Sequence, residues 1–323
     1  ICGLTAILLI VLWAAFTITK PLKKLTGAME KVSSGDLSVE ITDIKGNDEI
    51  QEISEIFNSM LVDLKHYIND LTVTTKAKES VESELRIARS IQESLLPHIF
   101  PPFPDKAEFD LFAANIPAKE VAGDFYDFFL LNSDTLACLI ADVSGKGVSA
   151  GLFMAVTRTL IKTVFVDGVD AAKAMMAANK ILSQDNESCM FTTMFLASYN
   201  FRNGKLQYAN AGHNEPFIIT PNGDFRWLPS CGDMALGIFE DQEYGLQETE
   251  LQQGEILVLY TDGVTEATNS VNELYGEERM VQNVKDNVSE EVETIIGNLT
   301  DALAEFQGDN QFDDITMLVL KRK

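Results

Sequence analysis

The stretch Leu136-Ala137-Cys138-Leu139-Ile140-Ala141-Asp142-Val143-Ser144-Gly145-Lys146-Gly147 decides how this chain is read. Its first six residues form a continuous apolar run, as in a buried strand. The run meets an acid at Asp142 and passes two glycines, and a helical pattern opens near Ser149. Glycines let a backbone come close to a ligand, and a helix N-terminus faces anions favourably. The same context recurs. Glu255-Ile-Leu-Val-Leu-Tyr-Thr261 is an apolar strand ending in Asp262-Gly263, Asp313-Asp314 precede the strand Ile315–Leu320, and Asp124 sits in Ala122-Gly123-Asp124-Phe125-Tyr126-Asp127. A single Asp at a strand end is more often a turn former than a catalyst. Carboxylates gathered at one end of a sheet are different, because they repel each other. Bound cations offset that repulsion, and oxygen-only ligands suit hard ions such as Mg²⁺ or Mn²⁺. The pattern points to a metal-dependent enzyme.

Around these positions, residues 105–323 mix strands and helices. Strands are expected at Phe109–Ala114, Phe125–Leu131, Leu136–Ala141, Phe191–Tyr199, Lys205–Ala209, Pro216–Thr220, Ile256–Tyr260 and Ile315–Leu320. Helices are expected at Ser149–Val166, Asp170–Ser183 and Ser289–Phe306. Asn203-Gly204 and Asn222-Gly223 are hairpin turns. Strands joined by hairpins, with helices bunched in pairs, read as an antiparallel α+β domain: two sheets with helices packed outside.

The N-terminal third reads differently. Residues 1–18 carry no charge, and Lys20, Lys23 and Lys24 follow at once. A buried core helix is the alternative, but the basic flank favours the end of a transmembrane helix with the rest of the chain cytoplasmic, at the bacterial inner membrane. The basic residues follow the apolar run, the wrong polarity for a signal peptide. The chain begins at Ile1, not Met, and is expected to be the C-terminal part of something longer. Leu22, Leu25, Met29 and Val32 then form a short helix that stops at Ser33-Ser34-Gly35, and Leu37–Ile41 is an extended connector. A second helix opens at Asn47-Asp48-Glu49, with Asn47 as N-cap. Ile50, Ile53, Phe57, Met60, Leu64, Tyr67 and Leu71 follow a 3-4 heptad. From Thr72 the helix continues to Leu96 with a weaker seam, until Pro97, Pro101, Pro102 and Pro104 end it.

The chain has 323 residues, 46% of them hydrophobic, and a formal net charge of −24. That charge argues against nucleic acid, whose phosphates need Lys and Arg. Cys2, Cys138, Cys189 and Cys231 show neither Cys-x-x-Cys nor zinc spacing and read as reduced thiols.

Two amphipathic helices joined by an extended connector below a membrane span resemble a HAMP domain, with Pro21 and Asp48-Glu49 at the family's positions. The resemblance implies a parallel four-helix bundle in a homodimer. An ordinary coiled-coil stalk, the alternative, would also dimerise. Residues 80–323 resemble the metal-dependent protein phosphatases of the protein phosphatase 2C (PP2C) fold, in their bacterial SpoIIE and RsbU branch. The matching motifs are Ala122-Gly-Asp-Phe-Tyr-Asp127, Ala141-Asp-Val-Ser-Gly-Lys-Gly147, Asn210-Ala-Gly-His213, Tyr260-Thr-Asp-Gly263 and Asp313-Asp-Ile-Thr316, with the lead-in Ile91-Gln-Glu-Ser-Leu-Leu-Pro97. The implied architecture is an α-β-β-α sandwich: 1–18 the end of a membrane helix, 19–72 HAMP, 73–97 a coiled-coil linker and 105–323 the phosphatase domain. The resemblance also implies two Mn²⁺ or Mg²⁺ ions. Asp142 would bridge them, the Val143 carbonyl would bind one, Asp262 and Asp313 would complete the first site, and Asp124 would face the second. Asp314 would support from behind, or exchange roles with Asp313. A water shared by the ions would attack a phosphoserine or phosphothreonine. The implied substrate is a phosphorylated STAS-domain protein, an anti-sigma-factor antagonist. His213 is open as a general acid, with a loop-holding role preferred. A catalytically silent, partner-docking phosphatase fold is the second reading. A cyclic-nucleotide or dinucleotide enzyme is a third, disfavoured because its Gly-Gly-Asp-Glu-Phe and Glu-Ala-Leu signatures are missing.

Overall fold

Pro21 and Gly35 bracket the first amphipathic helix. The computed structural model describes residues 2–42, 48–166, 168–308 and 311–323. They divide into two compact units, up to Ser83 and from Glu84 onward. In the first unit, α1 (Cys2–Ala14) passes through a π-helical stretch, Ala15–Thr19, into α2 (Lys20–Ser33). Pro21 lies just after the π-helical stretch, where the helical hydrogen-bond ladder already departs from the α pattern, so its missing N–H falls at that irregularity. Gly3–Ser33 is long and apolar enough to cross a membrane, with a mean hydropathy of 1.9 and none of its apolar window buried. Gly35 adopts φ +96° and turns the chain into the connector.

Leu25 and Ala28 of α2 pack on Phe57 and Leu61 of α3 (Glu49–Leu95), and Leu37, Val39 and Ile41 of the connector close over them. Asn58 pins that connector. Its amide donates to the Ile41 carbonyl (2.8 Å) and its Oδ1 accepts from the Ile41 N–H (3.1 Å). Asn47, the expected N-cap, lies outside the described residues, and Asp48 Oδ1 accepts from Gln51 N–H at the helix start. The heptad seam turns out to be largely an outer face. Phe57 is buried, whereas Met60 is 49% exposed, Tyr67 80% and Leu71 66%. The inner positions are Ser54, Phe57 and Leu61, because a single α2 meets α3 along that stripe. The linker expected over 73–97 belongs to α3, which runs on to Leu95.

The second unit is the expected two-sheet sandwich. One sheet has the order β1 (Phe109–Ile116), β10 (Ile315–Arg322), β9 (Ile256–Tyr260), β6 (Phe217–Ile219), β7 (Phe225–Trp227). The other is β2 (Phe125–Leu130), β3 (Thr135–Val143), β4 (Thr192–Asn200), β5 (Lys205–Ala211), β8 (Gln247–Glu250). Every pairing is antiparallel. α4 (Val148–Val164) and α5 (Ala171–Leu182) cover the β3 sheet, and α7 (Gly276–Asp286) and α8 (Val292–Gln307) cover the β10 sheet. β7, β8, α7 and the one-turn α6 (Asp262–Thr265) fall outside the elements expected from the sequence, although Met280, Val281 and Val284 give α7 a buried stripe. β8 is Gln-Glu-Thr-Glu with alternate residues exposed at a sheet edge, so burial leaves no trace in its sequence.

Register carries the aspartates together. Phe125 pairs with Ala141, which sets Asp124 beside Asp142. Met317 pairs with Tyr260, so the end of β9 and the start of β10 bring Asp262 and Asp313 to the same edge.

Candidate active site

Asp124 and Asp142 stand side by side at the joined ends of β2 and β3, and each carboxyl feels the other. Burial raises the Asp142 pKa to about 7 against the pull of the Asp124 carboxyl, and the charges of Asp262, Asp313 and Asp314 add to the rise. Burial, with the Asp142 charge, raises Asp124 well above the usual range, opposed by the Thr261 hydroxyl. Asp262 is raised by burial, then by the charges of Asp313 and Glu266. Burial first, and neighbouring carboxylates second, thus oppose full ionisation of this cluster.

A shell of polar groups holds these acids. Thr261 Oγ1 donates to Asp124 Oδ2 (2.6 Å) and accepts from Thr316 N–H (3.0 Å). Asn115 donates from Nδ2 to the Asp124 carbonyl (3.0 Å) and to Thr316 Oγ1 (2.8 Å). Asp314 is fully committed: Oδ1 accepts from Ala118 N–H and Oδ2 from Gly123 N–H, each at 2.7 Å. It holds the loop that carries Asp124. Gln92, near the end of α3, acts like a short strand segment. Its Nε2 donates to the Ala122 carbonyl (2.6 Å) and its Oε1 accepts from the Ala122 N–H (2.9 Å). Gly123 passes the Val143 carbonyl so closely that a Cβ would sit 3.0 Å from it, and a Cβ at Gly263 would collide with the Asp314 carbonyl. Asp313 Oδ1 accepts from Asp314 N–H (3.0 Å) and pairs with Lys146 Nζ (2.8 Å).

His213 is a buried clip between the sheets. Its Nδ1 meets the Thr193 hydroxyl at 2.9 Å and its Nε2 the Tyr260 carbonyl at 3.2 Å. A carbonyl only accepts, so Nε2 carries the proton and Nδ1 accepts from Thr193. Burial pushes the ring down to about 4 despite the Tyr260 bond. Asn210 brackets the same turn through His213 N–H (2.7 Å) and the His213 carbonyl (3.0 Å). Both ring nitrogens are engaged, which supports the loop-holding role. Asp127 is also structural. Fully buried on β2, it pairs with Arg158 (2.8 Å) and Lys162 (3.4 Å) of α4. In Met190–Met194, Thr192 and Met194 lie buried on β4, in keeping with strand packing.

Strand register thus sets Asp124 beside Asp142 and Val143, and brings Asp262 and Asp313 to one edge. Among the described residues, no group of three or more His, Cys, Asp or Glu side chains converges closely enough to hold a metal ion. The carboxyls meet pairwise instead, Asp124 with Asp142, while Asp313 faces Lys146. The donor chemistry still fits a hard cation. The set is oxygen only, and burial with mutual repulsion raises its Asp142 and Asp262 carboxyls.

The Stage II sporulation protein E (SpoIIE) family model matches residues 132–323. The chain belongs to the SpoIIE family. A HAMP domain matches residues 13–66. Similar to this SpoIIE-family chain is Protein IcfG of Synechocystis sp., 32% identical over 94% of the chain. The chain spans about half of that protein, 51% of its length. Phosphoserine phosphatase RsbU of Bacillus subtilis is 28% identical over 76% of the chain and 72% of its own length. The SiaA-PP2C domain of Pseudomonas aeruginosa has the same fold, with a TM-score of 0.68 at 22% identity, covering 76% of this chain and 99% of that one.

Proposed function

We propose that this chain is the membrane-anchored output end of a signal-regulated phosphatase. It hydrolyses phosphoserine or phosphothreonine on a regulatory protein, an anti-sigma-factor antagonist of the STAS class. The observation that carries this reading is the strand register, which sets Asp124 beside Asp142 and brings Asp262 and Asp313 to one edge, with the Val143 carbonyl close against Gly123. RsbU, a phosphoserine phosphatase by name, supports the reaction class. Asp142, Asp262, Asp313 and the Val143 carbonyl would supply oxygens to one divalent cation, Mn²⁺ or Mg²⁺. Asp142 and Asp124 would supply them to a second. Such cations, when bound, acidify water and neutralise phosphoryl oxygens. The chain's own part is to aim the oxygens: Thr261 and Asn115 orient Asp124, and Asp314 and Gln92 hold its loop.

Regulation enters at Gln92, because α3 ends in the clamp on Ala122, two residues before Asp124. A signal that shifts α3 shifts the acid that faces the second cation. The apolar Gly3–Ser33 helix and the HAMP match favour membrane anchoring with a cytoplasmic phosphatase. The exposed Met60, Tyr67 and Leu71 face of α3 favours a homodimer.

Phosphate release from a phosphoserine peptide in Mn²⁺ tests the reading. Hydrolysis by the wild type, reduced about 100-fold or more in Asp142→Ala and Asp262→Ala, is the expected result. Equal rates in all three proteins would leave only a silent docking module.

A further inference from the structure

Lys146 is the cation that the acidic edge already holds. Its Nζ lies 2.8 Å from Asp313 Oδ1 and donates to the Phe312 carbonyl at 2.8 Å. It also stands 4.5 Å from the centre of the Phe312 ring. One side chain thus takes three contacts from residues 312–313. The two ends of this tie differ from the packed core. Phe312 is 75% exposed, so its ring packs little apart from this contact. Lys146 stands between Gly145 (φ +87°) and Gly147 (φ +82°), and a Cβ at either glycine would meet nothing within 4 Å. The loop has space to re-aim the lysine without disturbing a neighbour.

The Asp313 oxygen that Lys146 occupies is one that a divalent cation needs. An ammonium at 2.8 Å blocks that lone pair and repels a doubly charged ion. We propose that Lys146 is an internal counter-cation. It holds the Asp313 carboxylate until a divalent cation takes that oxygen, and cation binding then releases it from residues 312–313. This rests on the reading of Asp313 as a cation ligand. A permanent structural tie would behave differently: its loss would weaken cation binding, and the lysine would stay engaged when cations are bound.

Two measurements on the full chain separate these cases. The first is acylation of Lys146 by an amine-reactive reagent, followed by mass spectrometry with and without saturating Mn²⁺. Labelling of Lys146 should rise about threefold or more, while Lys162, paired with Asp127 on another element, stays constant. This needs no variant and so does not depend on one folding. The second is the Mn²⁺ binding isotherm. Lys146→Gln should bind roughly threefold to fivefold more tightly, and Lys146→Arg should bind like the wild type. Wild-type Mn²⁺ binding with unchanged Lys146 labelling, or equal affinity in Lys146→Gln, overturns this inference alone. No Mn²⁺ binding by the wild type overturns the metal reading as well.

Discussion

At Asp124 one hydroxyl sets the direction of a buried carboxylate. Thr261 Oγ1 donates to it and accepts from Thr316 N–H, so two strands and one acid depend on a single side chain. Thr261→Val keeps the volume and removes both bonds. Leaving buried polar groups unpaired costs about 1–3 kcal/mol. The valine variant should melt at a lower temperature and lose most of its phosphate release, and Thr261→Ser should restore both. A valine variant that melts and turns over like the wild type would remove Thr261 from the account. The aspartates themselves were legible in the sequence, because each adjoins an apolar strand. Thr261 and Gln92 fall within the matching motifs, but nothing in the sequence marks them, or Asn115, as residues that hold the site. Their partners are distant in sequence, and a lone polar residue does not announce what it will face. His213 had two readings in the sequence, and only the positions of Thr193 and Tyr260 favour one of them.

At the scale of elements, the strands with apolar runs appear within a few residues of where the sequence puts them, and both Asn-Gly turns join paired strands. The polar edge strand β8 and the short α6 escape because they bury too little to leave a period. The α3 heptad is a different case. Its period is helical as read, but which face meets α2 depends on Ser54, Phe57 and Leu61. The far end of α3 matters most for function. Gln92 satisfies both backbone groups of Ala122, and Gly151 of α4 lies so close beneath that a Cβ there would strike Val121. Gln92→Ala leaves a buried N–H and carbonyl without partners. It should destabilise the protein by about 2 kcal/mol or more and lower phosphate release at least tenfold, as the loop before Asp124 loosens. A denaturation curve and a rate measurement check this together. A stable variant with wild-type turnover would separate α3 from the site.

For the whole molecule, the sequence divides cleanly in character: an apolar helix, an amphipathic pair, then mixed strands and helices. The HAMP and SpoIIE matches fall on those same regions. At one edge of the second unit, burial and mutual repulsion raise Asp124, Asp142 and Asp262 together. The central claim is that this edge binds divalent cations through carboxylates from four separate strand ends. Anomalous diffraction from crystals grown in Mn²⁺ tests it most directly. The account predicts two peaks, both ligated by Asp142, one also by Asp262, Asp313 and the Val143 carbonyl and the other facing Asp124. Manganese bound elsewhere, or no peak within reach of Asp142, would contradict it.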